Sequence, residues 1–155
     1  MDSGLLAKSQ IHHVALRVAD AQASKSWLIT MLDFRVENEF TFQDTDFIWI
    51  RPAQSKAPVI ELIGGAEQIS RPARENVSAI EDALERLKQP GFNHICLQVD
   101  DVEQAMAELR RRNVKVLLDV MAAPPGSGVK KCAFILDPWD NIFELLEVVL
   151  DSESD

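Results

Sequence analysis

A chain of 155 residues that is 46% hydrophobic and 26% charged has the composition of a folded globular protein, which excludes a disordered one. Its net charge of −9, from 25 acidic against 16 basic residues, repels phosphate backbones and anionic lipid, so nucleic acid and membrane surfaces are excluded as expected partners. No run is long and apolar enough to span a bilayer, no signal-peptide pattern opens the chain, and Cys96 and Cys132 lie in apolar runs. A cytoplasmic protein with two reduced, buried thiols is expected.

After a lead over residues 1–10, the predicted elements begin with a strand from His13 to Val18. Asp20 is placed to cap a helix over Ala21–Leu32, whose Trp27, Leu28, Met31 and Leu32 share one face. Strand-like runs follow at Phe34–Phe42, Phe47–Arg51 and Pro58–Ile63, rich in Val, Ile, Phe and Trp. A connector over 65–91 carries a predicted helix at 78–88, with Ser78 and Glu81 in capping-box spacing.

The second half repeats the first. His94-Ile95-Cys96-Leu97-Gln98-Val99-Asp100-Asp101 matches His13-Val14-Ala15-Leu16-Arg17-Val18-Ala19-Asp20 at its His, Leu, Val and final Asp. Asp101 with Gln104 makes a capping box for a helix over Val102–Arg112, whose last turn carries Arg110, Arg111 and Arg112. Strands are predicted at Val114–Val120, Lys130–Leu136 and Ile142–Val149, and residues 150–155 form an acidic tail. The fold class is therefore α+β: two tandem βαβββ modules, 11–64 and 92–149, in one structural domain.

Strand alternation sets the faces. Val14, Leu16 and Val18 share an apolar face, leaving His13, Ala15 and Arg17 on the other; Ile95, Leu97 and Val99 leave His94, Cys96 and Gln98 likewise. His12 has the opposite parity and is expected to point with Val14 in a structural role. Glu61 and Glu144 each stand inside an otherwise apolar last strand, where a charge needs a partner, a metal or water. The separations agree: 61 − 13 is 48 and 144 − 94 is 50. One His and one Glu per module, repeated, point to a metal site formed by His13, Glu61, His94 and Glu144. Two imidazoles and two carboxylates suit a divalent transition metal such as Ni, Co, Zn, Mn or Fe. Arg17 and Gln98 have the parity to face a bound small-molecule substrate.

With these four residues in place, the paired modules resemble the vicinal oxygen chelate superfamily, which includes glyoxalase I, methylmalonyl-CoA epimerase, extradiol dioxygenases, and fosfomycin and bleomycin resistance proteins. The most specific stretch, Phe134-Ile135-Leu136-Asp137-Pro138-Trp139-Asp140-Asn141-Ile142-Phe143-Glu144-Leu145, is similar to the family's F-x-x-D-P-x-G-N-x-x-E-L ending. Asp140 stands where the family usually has Gly, so a looser turn is expected there. Arg17 matches a glutathione-contacting Arg of bacterial glyoxalase I. Gly65 replaces the Asn that glyoxalase I tends to carry, and Ser26-Trp27-Leu28 replaces its Phe-Tyr pair.

The resemblance implies that each mixed sheet curls into half of an open barrel with the metal on its concave face, and that the chain forms a homodimer. It implies a glyoxalase I-like lyase or isomerase acting on a small oxygenated substrate, with Glu61 or Glu144 as the base that removes a proton next to a carbonyl. A non-haem Fe(II) dioxygenase using His13, His94 and Glu144 is the alternative, with Glu61 counting against it by filling a needed site. A fosfomycin-type resistance protein, built on two His and one Glu, is a further alternative.

Overall fold

The computed structural model describes residues 9–66, 81, 85, 87–88 and 91–149. The helix expected over 78–88 lies almost wholly outside them, as do the tail 150–155 and residues 1–8 of the lead. The chain forms two compact units, within 1–70 and within 71–155, each built on an open four-stranded mixed sheet. Among the described residues no helix is long and apolar enough to cross a membrane.

The first unit runs β1 (His13–Arg17), α1 (Ala21–Leu32), β2 (Phe34–Phe42), β3 (Thr45–Pro52), β4 (Val59–Ile63), and its strands lie in the order β1-β4-β3-β2. β1 runs parallel to β4, and the other pairs are antiparallel. Asp20 Oδ1 accepts from Ala23 N at 2.9 Å and fixes the start of α1; Asp33, left-handed at φ 54°, ends it by donating its N–H to Leu28 O. Gln43 and Asp44 both have positive φ, 47° and 58°, as a two-residue hairpin turn between twisted strands requires. The helix packs on the face formed by Ile48, Ile50, Ile60 and Leu62, three of which are completely shielded from solvent. It does so through Ala21, Ser24 and Leu28, while Trp27, expected on the buried face, is only half-buried.

The second unit repeats this plan with β5 (Ile95–Gln98), α2 (Val102–Arg111), β6 (Lys115–Ala122), β7 (Val129–Leu136) and β8 (Ile142–Val148), ordered β5-β8-β7-β6. Val102, Met106 and Leu109 of α2 pack toward Ala133, Ile135, Phe143 and Leu145. Asp101 caps α2 through Gln104 N at 2.9 Å; the Gln104 amide, instead of returning to the backbone, donates to the other Asp101 oxygen at 2.9 Å.

The turn between β7 and β8 is organised by Asp137, only 4% exposed. Its carboxylate accepts from Trp139 N at 2.9 Å, Asn141 N at 2.8 Å and Asn141 Nδ2 at 2.7 Å. The looser turn expected from Asp140 is not found. Asp140 adopts the left-handed φ of 62° that its short polar side chain tolerates, and two backbone hydrogen bonds of 3.1 Å close the loop.

Candidate metal and substrate site

The register of each parallel pair decides what meets. His13 lies opposite Val59 and Ala15 opposite Glu61, so His13 and Glu61 are diagonal neighbours on the face away from α1. In the second unit Ile95 lies opposite Phe143 and Cys96 opposite Glu144, which puts His94 and Glu144 in the same diagonal relation. His13 Nε2 stands 3.5 Å from Glu61 Oε2, and His94 Nε2 stands 2.9 Å from Glu144 Oε2. Each imidazole is about a third exposed and each carboxylate more deeply set, at 12% and 17%. Both pairs are therefore anchored in a sheet yet open to solution.

A ring also recurs beside each pair. Trp49 of β3 lies opposite Glu61, and Phe134 of β7 lies opposite Glu144. The Trp49 indole donates to Glu61 Oε1 at 2.9 Å and its ring stacks near His13, with centroids 6.3 Å apart. Phe134 meets His94 edge-on at 5.6 Å and has no hydrogen to donate. Glu144 is instead flanked by the Cys96 thiol, which is pushed up to about 12 by burial and by the negative carboxylate that accepts its hydrogen bond. Cys96, expected to be buried, is exposed as a residue on the sheet face opposite α2, with its thiol partly shielded beside Glu144; Cys132 is buried as expected.

Outer partners orient the rings. Asn93 Oδ1 lies 2.7 Å from His94 Nδ1. With Nδ1 carrying the hydrogen, Nε2 and Glu144 Oε2 are two lone pairs 2.9 Å apart, an arrangement relieved by a proton or a cation between them. His12 departs from its expected parity. It precedes β1, so strand alternation does not govern it; its Nδ1 lies 2.9 Å from His13 Nδ1 and its ring meets Trp49 at 4.9 Å. Arg17 and Gln98 are exposed on the expected faces, four residues along from His13 and His94. Among the described residues no hydrogen bond or ion pair joins either to the four His and Glu side chains. Arg17 Nη2 instead runs past Gly65, whose missing Cβ would sit 4.0 Å away. No group of three or more His, Cys, Asp or Glu side chains is gathered among the described residues; each unit brings together two.

Beside the first pair a cavity of about 820 Å³ opens in the same unit. Trp49 and His12 form its wall toward Glu61 and His13, and Val59, Glu37, Arg51 and Lys56 are among the other lining residues. Trp49 and Asn93 are the neighbours that sequence reasoning missed. Trp49 was detectable from its apolar strand and from its counterpart Phe134, whereas Asn93 lies just before a strand, where no periodicity marks it.

Comparison with known proteins gives a consistent result. A family model described as "Glyoxalase/Bleomycin resistance protein/Dioxygenase superfamily" matches residues 8–134. The uncharacterized protein YaeR of Escherichia coli K12 is 27% identical over 143 residues, covering 92% of this chain and 99% of its own. Among solved structures, the trypanothione-dependent glyoxalase I of Leishmania major superposes with a TM-score of 0.59 at 17% identity, over 90% of this chain and 87% of that one. TnmS3, an antibiotic binding protein from Streptomyces sp. CB03234, superposes with a TM-score of 0.63 at 16% identity, over 92% and 98%.

Proposed function

The chain belongs to the glyoxalase/bleomycin resistance protein/dioxygenase superfamily, and from that premise we propose that it is a metal-dependent enzyme of glyoxalase I-like type. In this reading His13, Glu61, His94 and Glu144 hold one divalent transition metal, and the substrate is a small molecule with two neighbouring oxygens. The recurrence of one His–Glu pair at the same register position in both modules carries the reading. The donor set fits: two imidazoles and two carboxylates suit a borderline ion, and Trp49 and Asn93 supply the outer hydrogen bonds that ligands of this kind use.

A bound ion supplies positive charge that stabilises an enediolate or enolate oxygen. The protein's own part is to hold the substrate and move its proton. Glu61 is tied by the indole N–H of Trp49, whereas Glu144 is tied by a thiol, a weak donor. Glu144 is thus the freer to swing and take the proton from carbon, with Glu61 as the steadier ligand. Arg17 and Gln98 serve as substrate contacts farther along their strands, and a homodimer is the expected assembly.

The test is metal content by mass spectrometry in wild type, His13→Ala, Glu61→Gln, His94→Ala and Glu144→Gln, together with solvent deuterium uptake next to the carbonyl of candidate 2-oxo and 2-hydroxy compounds. About one ion per chain in wild type and a clear loss in each His variant is expected. Full metal in His13→Ala and His94→Ala would defeat the site. Oxygen consumption without deuterium uptake would move the reading to the dioxygenase class. Wild-type protein that takes up no metal would favour a binding role of the kind named for TnmS3.

A further inference from the structure

The cavity beside the first His–Glu pair carries a charge that the chain as a whole does not. Arg51 and Lys56 line it against a single carboxylate, Glu37, in a protein whose net charge is −9. Glu37 is already engaged by Arg35. Arg51 donates one Nη1 hydrogen to Ala57 O at 3.1 Å, which holds the guanidinium against the turn between β3 and β4. Its Nε is buried with no hydrogen-bond acceptor, and Glu37 Oε1 approaches it only to 3.4 Å. Lys56 has no carboxylate partner among the described residues. A buried donor whose one ionic partner stands at this length is weakly satisfied, and an anion seated on the outer part of the guanidinium would add compensation for its charge.

The position of these cations is as informative as their number. Arg51 is two residues beyond Trp49 on β3, on the same face, so it stands about 7 Å farther from Glu61 along the strand. Trp49 and His12 belong to both places: each touches His13 or Glu61, and each lines the cavity. A molecule that spanned the His–Glu pair and this cavity would pass an aromatic wall of Trp49 and His12 to reach Arg51 and Lys56. The volume is within the ordinary range for small-molecule sites.

We propose that the cavity lined by Trp49, Arg51 and Lys56 is an anion subsite, and that the substrate carries a carboxylate several bonds from its metal-chelating oxygens. The planar fork of Arg51 matches a carboxylate, and Lys56 adds a mobile charge at the rim. Glu37 is shared between Arg35 and Arg51, so one carboxylate faces more than one cation. This assignment of substrate class rests on the metal-enzyme reading above, but the subsite itself is built by one module alone.

The experiment is a titration of ¹⁵N-labelled protein, zinc-loaded and metal-free, with 2-oxoglutarate and with 2-oxopentanoate, which lacks the distal carboxylate. Glutarate, which has no chelating pair, is the third probe. The Arg51 Nε–H resonance, the Trp49 indole resonance and the Lys56 amide report on the subsite. 2-Oxoglutarate is expected to shift all three and to bind about tenfold tighter than 2-oxopentanoate. Lys56→Gln and Arg51→Gln should erase that preference while leaving zinc content unchanged. Lys56→Gln is exposed and keeps the test valid if Arg51→Gln fails to fold. Equal affinity for the two oxo acids in wild type, or a preference that survives Lys56→Gln with the Arg51 resonance unmoved, overturns the subsite. The metal reading fails separately: if wild type takes up no zinc, glutarate should still move the Arg51 resonance, and its failure to do so would end this proposal too.

Discussion

Replacing Asp137 by Ala tests how the β7–β8 turn is held. The substitution removes the acceptor for Trp139 N, Asn141 N and Asn141 Nδ2. Each group left without a partner costs about 1 kcal/mol, the low end of the range, because Trp139 and Asn141 are half-buried and water reaches them. Relief of the buried carboxylate offsets part of the roughly 3 kcal/mol total, leaving a net loss of about 2 kcal/mol at neutral pH. For a chain of this size that is a fall in Tm of about 4–8 °C. The pH dependence follows from the same burial, which pushes the Asp137 carboxyl above the ordinary range against the hydrogen bonds from Asn141 and Trp139. An acid raised in the folded state contributes stability that is complete in acid and declines as pH rises through its folded value. The gap between wild type and Asp137→Ala should therefore narrow above about pH 4, where the unfolded carboxyl ionises. Urea unfolding followed by circular dichroism across pH 4–8 measures both effects. A loss below about 0.5 kcal/mol, as for an ordinary surface change, or a gap that widens with pH, would refute the reasoning.

Two further outcomes follow from the surroundings of the carboxylates. Trp49→Phe keeps a ring beside His13 and deletes the hydrogen bond to Glu61, so stability should fall by about 1 kcal/mol and metal affinity by roughly tenfold. Competition with a chelating dye checks the affinity, and an unchanged value would detach Trp49 from the site. Cys96, exposed but pushed up to about 12 by burial and Glu144, should be alkylated by iodoacetamide at pH 8 at least roughly 100-fold more slowly than a free thiol. Glu144→Gln should speed that reaction, and mass spectrometry after timed quenching reads the rate.

Much of this architecture is legible in the residues, for reasons that differ by element. The helix at Ala21–Leu32 and the strand at Phe34–Phe42 fall where apolar spacing and turn residues place them. The shared His, Leu, Val and Asp of the two first strands reveal the duplication, and a Glu inside each apolar last strand marks the partner that the register then sets diagonal to its His. Legibility fails where periodicity has no hold. His12 sits one residue before a ladder begins, so its ring is directed by Trp49 and His13 rather than by alternation. Cys96 looks buried in an apolar run, yet it lies on the sheet face opposite α2, with His94. Asn93 and the cations Arg51 and Lys56 are ordinary polar residues in sequence, and only the fold brings Asn93 to a ring nitrogen and the two cations to one cavity.

The parallel pairing of first strand with last strand also sets an order of events. His13 and Glu61 are neighbours only because β4 inserts between β1 and β3, and β8 does the same between β5 and β7. The nascent chain can form α1 and the β2–β3 hairpin from local contacts, but it holds no His–Glu pair until the final strand of that module has been synthesised and docked. Each His–Glu pair spans about 50 residues of sequence, among the slowest kinds of contact to close. In the proposed metal-enzyme reading an ion that needs these side chains waits for completed modules, so metal uptake during refolding would act as a clock for the last strand's arrival.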